Sequence, residues 1–165
     1  MATHQYTVSE GATVGAGTDR TFTMPEFSVP SGEKLKRLKI GRAGTGETSY
    51  CRLRGNAQSV LGQNGFDVWT TDKTAVSWTD GGTAKVKVHN TGTQGYSWRI
   101  SVTFETEDLP YTPVKAGEKI KASDLNQTGK NVKAGTLIKA SDIDNKISAG
   151  TKITASGFNS KVLGL

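Results

Sequence analysis

Between Val114 and Asn159 the chain repeats one short pattern three times. The first copy is Val114-Lys115-Ala116-Gly117-Glu118-Lys119-Ile120-Lys121-Ala122-Ser123-Asp124-Leu125-Asn126. The second runs from Val132 to Asp144 and the third from Ile147 to Asn159. Their shared form is [Val/Ile]-x-Ala-Gly-x-x-Ile-x-Ala-Ser-x-[apolar]-[Asn/Asp], with start points 18 and then 15 residues apart. Each unit offers about three apolar side chains to a core, at about 1.5–3 kcal/mol each when buried. Ordering a backbone costs about 1–2 kcal/mol for every residue. A single unit therefore cannot fold alone. The copies have to stack on one another, on the rest of the protein or on other chains.

Within each unit the residue types predict a very short strand, a turn and a helical turn. Val114, Val132 and Ile147 begin the strands, and Gly117, Gly135 and Gly150 open the turns, where a missing Cβ permits positive φ. Ile120, Ile138 and Ile153 return to an apolar environment. Ser123, Ser141 and Ser156 are placed to cap the helical turns, with Asp124 and Asp142 in the first turn, where negative charge is favoured. Leu125, Ile143 and Phe158 then pack the turn down. The chain ends Val162-Leu163-Gly164-Leu165, and Leu163 and Leu165 read as a buried terminus that docks. The strand-opening residues, the turn glycines, the three Ile, the three packing residues, and Leu163 with Leu165 are the candidate assembly or anchoring set.

The first part of the chain follows a different period. Trp98, Ile100, Val102 and Phe104 alternate with polar residues, as does Ala84 to His89, so each run has one apolar face as a strand. Further strands are expected at Thr21–Met24, Leu35–Ile40, Tyr50–Leu53, Phe66–Trp69 and Ala75–Trp78. Asn64-Gly65, Asp80-Gly81-Gly82 and Asn90-Thr91-Gly92 are tight-turn signals. No stretch of this part has a helical period. Only 34% of the chain is apolar, and it contains 20 glycines, so thin layers are expected. The fold class expected is mainly β: an antiparallel β-sandwich or jelly roll of about eight strands, followed by a tail of three strand-turn-helical-turn repeats. Pro110 and Pro113 interrupt the pattern. The expected domains are a β-sandwich over residues 1–106, a Pro-rich linker over 107–113 and the repeat tail over 114–165.

Charge separates the two parts. Residues 1–109 carry 12 Lys and Arg against 11 Asp and Glu, whereas residues 110–165 carry 9 Lys against 4 acids. The tail thus reads as a solvated lysine face or as a contact for an acidic partner. It has no Arg, and its only aromatics are Tyr111 and Phe158, which argues against nucleic acid. No run of 18 apolar residues exists, so no helical membrane span is expected. The N-terminal residues lack the basic start and apolar run of a signal peptide.

Chemistry is hard to nominate. Cys51 is the sole cysteine and lies in an alternating stretch, as a small buried residue does. His4 and His89 have no metal-ligand company at useful spacing, so no metal or other cofactor is expected. Gly15-Ala16-Gly17 and Gly41 to Gly46 lack a Walker ending, and no nucleophile elbow occurs. Glu105, Glu107 and Asp108 read as a charged strand end. A non-enzymatic protein is expected. The best ligand-stacking candidates are Trp69, Trp78, Trp98, Tyr50 and Tyr96, which could carry a saccharide, with Trp69, Trp78 and Trp98 otherwise reading as core.

Ala116-Gly117, Ile120 and Ala122-Ser123-Asp124-Leu125-Asn126, with their two echoes, resemble short modules of tailed-bacteriophage structural proteins of the fibre, appendage or decoration type. The third copy departs from that pattern, with Gly157 where the others have Asp. The resemblance implies a virion structural protein that works by protein–protein assembly, with the repeat tail as anchor or oligomerisation element. The partners implied are other virion proteins and further copies of the chain, a trimer being expected. The alternative is a carbohydrate-binding module that recognises a host-surface glycan, and a degradative enzyme of a phage tail is the remotest reading. Location in a virion would agree with synthesis in a host cytoplasm without a signal peptide.

Overall fold

A computed structural model describes residues 2–44, 47–112, 114–128, 143, 146–147 and 153–165. Val132, Gly135, Ile138, Ser141 and Gly150 lie outside the described residues. The chain divides into two compact units, residues 2–107 and residues 108–165.

The first unit is mainly β. It holds strands β1 (Thr3–Val14), β2 (Asp19–Glu26), β3 (Glu33–Gly44), β4 (Cys51–Arg54), β5 (Thr83–Asn90) and β6 (Tyr96–Asp108), with a short helix α1 (Gly55–Leu61) after β4. One sheet has the order β1-β6-β3 and the other β2-β5-β4. β1 and β6 pair antiparallel without a break, from Thr3↔Glu107 to Val14↔Tyr96. β3 runs antiparallel to β6 as well, since Lys34 meets Glu107, Arg37 meets Glu105 and Gly41 abuts Ser101. β5 pairs antiparallel with β2 and β4. The β2 register shifts between Thr23 and Glu26. Pro25 falls there and has no N–H to give the ladder, which an edge strand tolerates.

The apolar parity seen in the sequence fills the core. Ala84, Val86 and Val88 of β5 share one buried cluster with Trp98, Ile100, Val102 and Phe104 of β6. Phe22 and Met24, Leu38 and Ile40, Cys51 and Leu53, and Ala57 of α1 complete it from the remaining elements. Lys85 and Lys87 face solvent, as alternation requires, and His89 is half-buried against Asp19.

Several expectations are corrected. The described residues of this unit form six strands, not eight. Phe66–Trp69 is no strand, because Asp67 takes a φ of +61° and turns the chain. The segment instead runs beside β3, tied by one bridge between Leu38 and Thr70. Within Ala75–Trp78 the chain makes the end of a 3-10 turn, Lys73–Val76, capped by the Asp72 carboxylate on the Thr74 N–H and closed by Ser77 at φ +50°. α1 is a helix where the sequence shows no helical period, since only Ala57 of its seven residues is buried and no apolar stripe forms. β1 is likewise absent from the expected strands. Its inner face is His4, Tyr6, Val8, Glu10, Ala12 and Val14, mostly half-buried, so two polar residues interrupt the apolar parity.

The second unit contains helix α2 (Ala122–Asn126) and helix α3 (Ala155–Phe158), which continues into a wide turn over Asn159–Leu163. It has its own apolar cluster. Both helices start at the Ala before the repeat's Ser, so Ser123 and Ser156 lie within the first turn and do not cap it. The caps are made differently. Thr154 accepts at its hydroxyl from the Gly157 N–H, while the Asp124 carboxylate reaches back to the Lys121 N–H. Nor does Val114 open a strand: no ladder forms there.

Candidate functional site

The aromatic candidates of the β unit separate by burial. Trp78 is 3% exposed and donates its indole N–H to the Phe27 carbonyl at 3.3 Å, so it is core. Trp98 is 1% exposed and forms the base of a ring ladder. Tyr96 stacks on it at 5.8 Å and Tyr50 on Tyr96 at 5.7 Å, and of the three rings only the outermost, Tyr50, is exposed. Gly92 makes room for the two tyrosines: a Cβ there would stand 2.7 Å from Tyr96 and 3.2 Å from Tyr50. Asn90 holds the loop in place. It is fully buried, donates to the Val14 and Gln94 carbonyls and accepts from the Gly92 N–H. The sequence marked Asn90 only as a turn residue and gave no sign of these three bonds.

Trp69 is different. It is half-buried and belongs to neither core cluster. Three backbone bonds fix its segment to β3, from Asp67 N–H to Ile40, from Thr70 N–H to Leu38 and from Leu38 N–H to Thr70. β3 turns Leu38 and Ile40 into the core, so Arg37 and Lys39 project from the opposite face. There the Arg37 guanidinium lies 4.3 Å and the Lys39 ammonium 4.9 Å from the Trp69 ring centroid. Cations at this range are held by the negative face of the ring.

Glu105 anchors the arrangement. Its carboxylate accepts from Arg37 Nε at 2.9 Å and Nη2 at 3.2 Å, and from Gln5 Nε2 at 3.0 Å. Lys36 lies 3.7 Å away. The Arg37 hydrogen bonds first, then those of Gln5 and the nearby charges, hold the Glu105 carboxyl below the usual range against its partial desolvation. Alternation placed Glu105 on the polar face, but no sequence signal told of its capture by β3. Arg37, Trp69, Thr70 and Thr71 line a shallow concavity of about 400 Å³.

In the second unit, Leu125, Ile143 and Phe158 occupy the same place in the three repeated segments, and all three enter one core at no more than 1% exposure. Val114, Ile147, Val162 and Leu163 are buried with them, and Ile120, Ile153 and Leu165 are packed half-buried at the edge. Gly117 has a φ of +82° in a turn closed by Glu118 N–H on the Lys115 carbonyl. Two side-chain amides do the work of a ladder. Asn159 accepts from Val114 N–H and donates to Val114 O, both at 2.8 Å. Gln127 does the same to Thr112, at 2.6 and 2.8 Å. The Asn that closes the third repeat thus grips the residue that opens the first.

Cys51 is fully buried, and that burial pushes its thiol up to about 12, with only partial opposition from Arg42 and Arg52. A thiol in that state is not a nucleophile at neutral pH. Among the described residues no group of three or more His, Cys, Asp or Glu could hold a metal ion. No described helix is long and apolar enough to cross a membrane.

No family model matches the chain, and no curated protein or solved structure is significantly similar to it.

Proposed function

We propose that the chain is a non-enzymatic structural protein of a tailed-bacteriophage virion, of fibre, appendage or decoration type. The first unit, read as a sandwich, is the displayed body. The second, read as three strand-turn-helical-turn repeats, joins the chain to further copies or to other virion proteins. The observation that carries this reading is the convergence of Leu125, Ile143 and Phe158 on one small core closed by Asn159. Repeated segments that pool one large side chain each make a thin core, and a thin core gains most from burial against a partner. The lysine excess of residues 110–165 supplies an electrostatic complement for an acidic surface.

Size-exclusion chromatography with light scattering tests it on the whole chain. The expected result is the mass of a homo-oligomer, a trimer, that falls to a monomer on Leu125→Ala or Phe158→Ala. A wild-type chain that stays monomeric at every concentration, with no binding to other virion components, would sink the proposal.

A further inference from the structure

Trp69 has no part in the assembly role of residues 108–165. A chain with only three tryptophans keeps two in its core and leaves the third half-exposed on the outer face of a sheet. The surroundings hold that ring still. Glu105 immobilises Arg37, Arg37 and Lys39 sit against the indole, and backbone bonds to β3 fix the residues on both sides. Rigidity of this kind lowers the entropic cost of capturing a ligand.

The polar groups around the ring define what it would capture. Glu105 neutralises Arg37 but takes hydrogen bonds only from Nε and Nη2, so donors remain on the guanidinium. Thr70 Oγ1 accepts from the Asp72 N–H, which leaves its own hydroxyl hydrogen to donate. Farther along the same face of β3, Gly41 leaves bare backbone beside the Ser101 hydroxyl and the Asp67 carboxylate, whose oxygens lie 2.6 and 3.7 Å from where a Cβ would stand. The surface therefore sets donors and acceptors around a single aromatic. Besides the indole the concavity is lined by a guanidinium and two threonines, so a greasy ligand gains little there, and an anion would find Arg37 already paired with Glu105 and only Lys39 to seek. A sugar ring matches: its hydroxyls both donate and accept, and its C–H groups can pack on the part of the indole that Arg37 and Lys39 leave uncovered.

We infer that the concavity of Arg37, Trp69, Thr70 and Thr71 is a saccharide subsite for a neutral hexopyranose unit of an oligosaccharide. It lies in the β unit and does not depend on the assembly role of residues 108–165.

The test is NMR titration of the full-length protein with maltotriose, cellotriose, mannotriose and chitotriose. At least one should move the Trp69 indole signal and the Thr70 and Thr71 amides saturably. Trp69→Ala should weaken that affinity tenfold or more, about 1.4 kcal/mol. Trp69→Phe keeps an aromatic ring and should stay within about threefold, which separates loss of the ring from loss of the fold. Lys85→Gln, on β5 of the other sheet, should change nothing. Absence of saturable shifts with all four sugars up to about 20 mM, or equal binding by Trp69→Ala, overturns the inference. So does equal competition by hexa-aspartate, which would mark a plain cationic patch.

Discussion

Glu105 belongs by strand parity to the solvent side of β6, yet it is only 4% exposed, because residues of β1 and β3 close over it. Its depressed carboxyl pKa fixes the sign of a pH effect. A group that ionises more readily when folded adds stability above its unfolded value, about 4.3 for glutamate, and loses it as pH falls through the lower folded value. Acid unfolding of the β unit, followed by tryptophan fluorescence, should therefore begin below about pH 4.3 in part through Glu105. Glu105→Gln should be less stable at neutral pH and have a shallower acid limb. An unchanged acid limb would remove Glu105 from the account. Asp19 is held down in the same direction, chiefly by its bond to His89, although it is more open to water. Such pairings could not be read from the sequence. Charge order along a strand says which face a residue takes, and a partner 68 positions away, as Arg37 is from Glu105, enters only through strand order.

At the scale of elements, legibility followed burial contrast. β5 and β6 were plain because strong apolar residues alternate with polar ones along most of their length. β1 was missed because His4 and Glu10 interrupt the apolar parity of Tyr6, Val8, Ala12 and Val14 on its inner face, although it forms twelve consecutive pairs with β6. Phe66–Trp69 and Ala75–Trp78 misled for the opposite reason. They are rich in apolar and aromatic residues but are bent by the left-handed residues Asp67 and Ser77. In the second unit the pattern located the two described helical turns to within a residue or two, but it could not supply their ties. Asn159 grips Val114 across 45 residues. Asn159→Ala should strand both backbone groups of Val114 and destabilise that unit by about 1–3 kcal/mol. Asn159→Asp should be no better, since it keeps the acceptor but turns a carboxylate on the Val114 carbonyl. Hydrogen exchange at Val114 reads both variants. Wild-type protection in Asn159→Ala would show the clamp to be incidental.

At the scale of the molecule, two units with separate cores predict two unfolding events. All three tryptophans lie in the first unit, so their fluorescence follows it alone, and calorimetry adds the second. Phe158→Ala removes a fully buried ring, a loss of about 3–5 kcal/mol from a small core. It should erase the second unit's transition while the tryptophan melt stays put. A single transition that moves as a whole would contradict separate cores. From the sequence alone came the β character of the first unit, the faces of its two central strands, the break near the prolines and the threefold pattern beyond it. All of these rest on local periodicity, which one chain displays without reference to its neighbours in space. Tertiary structure decided the rest: which strands are neighbours, that Trp78 and Trp98 are core while Trp69 lies against Arg37 and Lys39, and that Leu125, Ile143 and Phe158 meet. Those facts depend on contacts between distant positions, and periodicity carries no information about which distant positions meet.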